Sequence, residues 1–323
     1  MSSSAAAPQS GSMQAALACL IVVGTLLGLS INIAKLAVSH DLSPIAVLFW
    51  AALGSGIALQ LFAISKRQTP RLRWRTAEYA LASGTLFAVP NMVALLAIGH
   101  VGAGVISFTF AFPVLFTYLL ALTLRQEKFN GARALGVLFG LAGAALLALP
   151  KAVGSDPLIL WFAVAMTAPA IIAVGNIYRT MRWPAGETAL SLAPLMLIGG
   201  AVATLGIMLA AGQGYALIDI PTLSALLLVL AQTAVFTVLY ALYFVLQRLG
   251  GPVYLSQIGS VAGLVGVSIA IVFLGEAPPP NLFIVAALIG AGVVLVSQIN
   301  IKWLPFPRPK RVHGQPRGHL VGG

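Results

Sequence analysis

Acidic residues are almost missing from this chain. Seven Asp and Glu stand against eighteen Lys and Arg in 323 residues, and only 8% of residues are charged. A soluble domain carries roughly 25%. So little charge cannot cover a soluble core of this size, and 59% of the residues are hydrophobic. The solvent of the outer surface is therefore lipid. Cysteine is equally scarce. The single Cys19 lies inside the first apolar run, which excludes an intramolecular disulfide and a cysteine metal cluster. The chain also lacks a Gly-x-x-x-x-Gly-Lys-Ser/Thr phosphate cradle and a His-Glu-x-x-His pair. His40, His100, His313 and His319 form no ligand pattern, so neither a cofactor nor a metal is expected. The net charge of +11 would suggest nucleic acid in a soluble protein. Here the bases gather in short connections between apolar runs, which is a topology signal instead.

What the chain does have is ten apolar runs, at about 15–37, 44–64, 79–99, 103–124, 132–149, 157–178, 188–211, 223–247, 252–274 and 281–301. Each is about long enough to cross a bilayer at roughly 1.5 Å per residue. In hydrocarbon each backbone amide needs a partner within its own segment, so the runs are expected as helices. Residues 1–14, rich in Ser, Ala, Pro, Gln and Gly, read as a disordered tail. Residues 302–323 read as a basic tail. Nearly all Lys and Arg fall on the side of the two tails, so the positive-inside rule places both termini in the cytoplasm.

A short pattern occurs twice. Asn32-Ile33-Ala34-Lys35 ends the first run, and Asn176-Ile177-Tyr178-Arg179 ends the sixth. A cation near hydrocarbon costs roughly 3 kcal/mol on insertion scales. Its recurrence points to a two-fold plan with a polar site between the copies. Glu127 before a Gly-rich helix and Glu276 before another repeat the theme. The halves are expected at 15–150 and 151–301, five helices each. An odd number turns the second copy upside down, the usual plan of secondary transporters.

All seven acids fall in connections or at run ends. No membrane-buried carboxylate is therefore expected to relay protons or hold a cationic drug. A neutral, zwitterionic or weakly anionic solute suits the mildly basic interior. The candidate pathway residues are Asn32, Lys35, Asn176 and Arg179, with Trp50 in the second run and Asn91 in the third. In the eighth run, Gln232, Phe236, Tyr240 and Tyr243 share one face. Tyr rings there can stack on a flat solute while their hydroxyls bond it. Gln257 adds a polar group in the ninth run. Pro90, Pro113, Pro169 and Pro194 lie inside apolar runs, where each frees a carbonyl and bends its helix, giving candidate hinges. His100 with Ser107 is the one loose pairing for an intramembrane enzyme acting on lipid or peptide.

These features resemble the drug/metabolite transporter superfamily, and within it the EamA-like family. The resemblance is carried by the Asn-Ile-Ala-Lys35 ending, and by Pro113 with the Leu124-Arg-Gln-Glu127 closure. It also rests on the Gly136–Leu149 helix, the Pro252–Gly275 run closing at Glu276, and the Gly290-Ala-Gly292 helix. It covers about residues 15–301. It implies an all-α membrane protein of ten transmembrane helices in two inverted repeats, with a cavity lined by helices 1–4 and 6–9. It also implies small-metabolite substrates, amino acids and their derivatives first, with export and a bacterial inner membrane by analogy. A drug efflux carrier of the same superfamily is the neighbouring reading, and a homodimer is a possible assembly. Many relatives carry an aromatic-Arg pair early in helix 2, where this chain has Phe49-Trp50.

Overall fold

The computed structural model describes residues 10–71, 73–124, 129–152, 157–219, 222–278 and 281–297. Among the described residues the chain is helical, without strands. The helices are α1 (Ser10–Val38), α2 (Pro44–Ser65), α3 (Trp74–Val101), α4 (Ala103–Thr109) and α5 (Pro113–Thr123). They continue as α6 (Gly131–Ala152), α7 (Pro157–Met181), α8 (Ala189–Ala210), α9 (Leu223–Leu274) and α10 (Leu282–Ser297). Eight stretches are long and apolar enough to cross a membrane. Two shorter apolar helices, Gly131–Gly143 and Leu282–Gly292, stand where the fifth and tenth crossings were expected. The protein is an all-α membrane protein. Leu61, Phe62, Leu138, Leu160 and Phe283 are exposed on its outside, as lipid contact requires. The basic tail at 302–323 and Glu127 lie outside the described residues, as does the N-terminal tail before residue 10.

Two expectations are corrected. Helix α1 begins at Ser10, inside the stretch read as tail, because Met13-Gln-Ala-Ala are good helix formers that extend the run backwards. The fourth run is not one helix. Pro113 has no N–H to give Thr109, so the helix stops and restarts. Ala111 and Phe112 close instead on Phe108 and Thr109 at 3.0 and 3.1 Å. Gly259 of α9 accommodates this break, since any Cβ there would run into the Phe110 carbonyl.

The eighth and ninth runs stand as two crossings, Leu223–Leu249 and Gln257–Leu274, although the helix α9 is unbroken through Gly250-Gly251-Pro252. Its two arms nevertheless run in opposite directions along α1. Gln232 bonds Ser30 and Leu242 accepts from Cys19, so numbers rise on one helix as they fall on the other. Beyond the turn, Val261 meets Gly24 and Gly266 meets Gly28, with both rising together. The chain of α9 thus doubles back between residues 249 and 257, clasping α1.

Two apolar clusters result. One joins α1, α2, α3, α8 and the first arm of α9 around Tyr79, Leu192 and Phe244. The other joins the end of α3, α4, α5, α7 and the second arm around Ile98, Phe112 and Val267. Leu27 of α1 touches both.

Candidate functional site

The clusters part around a cleft of about 600 Å³ measured to its open mouth. Its polar end is built by α7, through Gly175-Asn176-Ile177-Tyr178-Arg179. Helical spacing sets 175, 176 and 179 on one face. The guanidinium folds back across the glycine: a Cβ at 175 would stand 3.0 Å from Nη1 and 3.1 Å from Nη2. Arg179 is only 4% exposed. Its Nη2 donates to Asn176 Oδ1 at 2.9 Å and to the Tyr243 hydroxyl at 3.0 Å. Tyr243 in turn donates to Asn176 Oδ1 at 2.7 Å, closing a triangle. The guanidinium carbon lies 5.6 Å from the Tyr243 ring centre, within cation–π range. Nε and Nη1 are buried with no acceptor. A buried cation without a counter-charge is costly and, in a membrane protein, marks a functional site by default.

The rest of the cleft is mainly apolar. Phe87 and Tyr240 meet edge to face at 5.1 Å between ring centres. Asn91, which donates to the Phe87 carbonyl at 2.8 Å, lies at its far end with Pro90. Pro113 lies on the α5 side. A second, smaller recess continues beyond Leu27, Asn91 and Phe110, which line both. Gln232 and Phe236 lie in this smaller chamber. There Gln232 donates to Ser30 at 2.7 Å and its Oε1 has no partner.

The structure therefore brings together Asn91, Asn176, Arg179, Tyr240 and Tyr243, with Gln232 and Phe236 next door. The other expected residues line neither cavity. Asn32 bridges helices, donating to Gly28 O at 2.8 Å and Gly266 O at 3.0 Å. Lys35 donates to Ile98 O at 3.2 Å, at the negative end of α3. Trp50 donates to Leu217 O at 2.9 Å. Gln257 is half-buried, and Pro169 and Pro194 are buried inside α7 and α8.

The two copies of the repeated pattern thus behave differently. One turn before Lys35 stands the buried Ile31 rather than a glycine. One turn before Arg179 stands Gly175, over which the guanidinium folds.

Sequence reasoning missed the neighbours Leu27 and Phe110, which carry no polar signal. It also missed Glu187, a buried carboxylate at 7% exposure. Glu187 lies in the connection before α8, outside both cavities, where the sequence places it among the acids at run ends. It accepts from Arg71 N at 3.1 Å and Ser191 Oγ at 2.8 Å. The fold buries it under protein rather than lipid, satisfied by those donors. Glu276 accepts from Ala103 N at 2.8 Å and Gly104 N at 3.0 Å, tying the α9 end to the start of α4. His100 stacks on Trp161 at 4.1 Å, and Ser107 Oγ is buried without a hydrogen-bond partner. They form no nucleophile–base pair.

A helical membrane bundle with a charged group facing an internal cleft has the plan of a solute carrier. Residues 14–149 match the model of the EamA-like transporter family, which belongs to the drug/metabolite transporter superfamily. Over that stretch the chain is similar to membrane transporters of this type. No curated protein matches the chain significantly. Sixteen chains of solved structures do. One, described only as a crystal structure of a protein, aligns with a TM-score of 0.62 at 17% identity. The alignment covers 90% of this chain and 98% of that one, and this likeness speaks for the fold alone.

Proposed function

We propose that the protein is a secondary transporter that moves small polar metabolites by alternating access through the central cleft. The observation that carries this is Arg179, fully buried yet held facing a cavity by Asn176 and Tyr243. The family resemblance favours amino acids and their derivatives as solutes, and export as the direction. Ten spans in two inverted halves, 15–150 and 151–301, are part of this reading. The pairing of helices supports it: α1 is clasped by the two arms of α9, as α7 lies against α3 and the α4–α5 unit. On the inverted plan these two arrangements are equivalent. Both termini then lie in the cytoplasm of a bacterial inner membrane. Among the described residues neither cavity is lined by Asp or Glu, which supports the solute gradient as the driving force.

Glu187 and Glu276 join the halves at opposite ends of the bundle. Each bonds a backbone amide of the first half: Arg71 for Glu187, and Ala103 and Gly104 for Glu276. Rocking opens one of these contacts at a time.

Cysteine accessibility tests the pathway. In a Cys19→Ser background, Leu239→Cys places a thiol on the cleft wall. A membrane-impermeant maleimide is expected to label it, and from one face at a time. A thiol that no aqueous reagent reaches from either face leaves the protein without a pathway and refutes the reading.

A further inference from the structure

We infer that Arg179 is a carboxylate-binding centre and that the solute is a monoanion with an apolar body and no ammonium group. This deepens the transporter reading and rests on it for the direction of use, though not for the binding itself. Within "amino acids and their derivatives" it selects the acids that lack the amine.

Three features carry the inference. The first is the unspent donor capacity of Arg179. A guanidinium has five N–H groups in a fixed plane. Nη2 is committed to Asn176 and Tyr243, and those bonds hold the plane still. Nε and Nη1 are buried without acceptors. A carboxylate entering the cleft supplies both the missing acceptor and the missing charge, and charge-assisted bonds of this kind are about twice as strong as neutral ones.

The second is the absence of any complement for a cation. Neither cavity is lined by an Asp or Glu. Asn176 Oδ1, the acceptor nearest the guanidinium, already takes two hydrogen bonds. An amino acid bound here by its carboxylate sets an unpaired ammonium among apolar side chains, where an isolated charge is costly. The same acid without the amine avoids that cost.

The third is the shape of the remaining wall. Phe87 and Tyr240 form an edge-to-face corner, with Met196, Leu239 and Ile258 beside it. Such a corner favours a flat or branched hydrocarbon body over a polyhydroxylated one.

Gly175 is a positioning residue for this centre. It opens the space through which the guanidinium reaches back along its own helix, and it touches no solute in this account.

The test uses the full-length protein in detergent and four probes that share one body: phenylacetate, phenylacetamide, phenylalanine and phenethylamine. Binding is read by calorimetry or ligand-induced thermal shift. Phenylacetate is expected to bind at least tenfold more tightly than the amide or phenylalanine, and phenethylamine not to bind. Arg179→Met is expected to bring phenylacetate to the level of the amide, and Arg179→Lys to keep part of the difference. Phenylalanine binding as tightly as phenylacetate overturns the inference, as does unchanged phenylacetate binding by Arg179→Met, or no binding of the acid at all. Should Arg179→Met fail to give folded protein, the acid-to-amide ratio in the unmodified chain decides alone. Flux is a separate reading. Acid binding without flux refutes the transporter and leaves the site. Flux of an amino acid that Arg179→Met leaves untouched refutes the site and keeps the transporter.

Discussion

Gly175→Ala separates the role of the arginine from the stability of the bundle. The new methyl would stand 3.0 Å from Nη1, 3.1 Å from Nη2 and 3.3 Å from the Leu86 Cβ. The Leu86 Cβ, on the neighbouring α3, is the farthest of the three, so the guanidinium is the group that moves. A shift of a few tenths of an ångström strains the Asn176 and Tyr243 bonds and displaces the free donors. Losing one hydrogen bond to a charged group costs about 1.5–3 kcal/mol. In binding this is roughly 10- to 150-fold in Kd. The backbone effect runs the other way, because Ala is favoured over Gly inside a helix by about 1 kcal/mol. The two effects oppose each other in folding, so the variant should unfold within a few degrees of the unmodified protein while binding phenylacetate at least tenfold more weakly. Thermal unfolding in detergent, with and without the acid, reads both quantities from one sample. Unaltered affinity would show that the guanidinium does not depend on the space over Gly175. A large fall in melting temperature would show that the glycine serves helix packing instead.

Other outcomes follow from the contacts. Lys35→Met should leave phenylacetate affinity within about twofold, since Lys35 lies outside both cavities and its bond to Ile98 O is a partly exposed one; calorimetry on the purified variant checks this. Gly259→Leu should lower the melting temperature markedly or prevent folding, because the Phe110 carbonyl occupies the space of the new side chain. Expression and unfolding temperature in detergent decide that. Glu276→Ala leaves the amides of Ala103 and Gly104 without their acceptor, with an expected loss of about 1–3 kcal/mol. It should also speed maleimide labelling of Leu239→Cys from the face where Glu276 lies, and labelling kinetics from each side read the effect.

Much of this architecture was legible in the amino acids because lipid narrows the choices. Runs of about twenty apolar residues have to become helices, and the chain confirms this across its long spans. The eighth-run stripe was legible for the same reason: residues four and three apart share a face, and two tyrosines on that face do line the cleft. Other features depended on contacts that no local pattern reveals. The break at Phe110–Phe112 was signalled by Pro113, yet its depth depends on Gly259, 149 residues later. The fold-back inside α9 was legible, because the Gly-Gly-Pro segment reads as a stop; the helix that runs unbroken through it was not. Lys35 and Arg179 looked equivalent, and the residue one turn earlier differs between them. Lys35 goes to the end of α3, while Gly175 lets the arginine fold back over its own helix. That difference was visible in the sequence, but its meaning required the side chain's path.

The most direct test of a central aqueous path ending at Arg179 is solute flux in proteoliposomes. Labelled phenylpyruvate suits it, since its strongly acidic carboxyl keeps it charged and poorly permeant. The account predicts saturable uptake into vesicles preloaded with the unlabelled acid, lost in Arg179→Met and retained in Lys35→Met. Uptake that survives in Arg179→Met, or that does not exceed protein-free vesicles in any form of the protein, would contradict it.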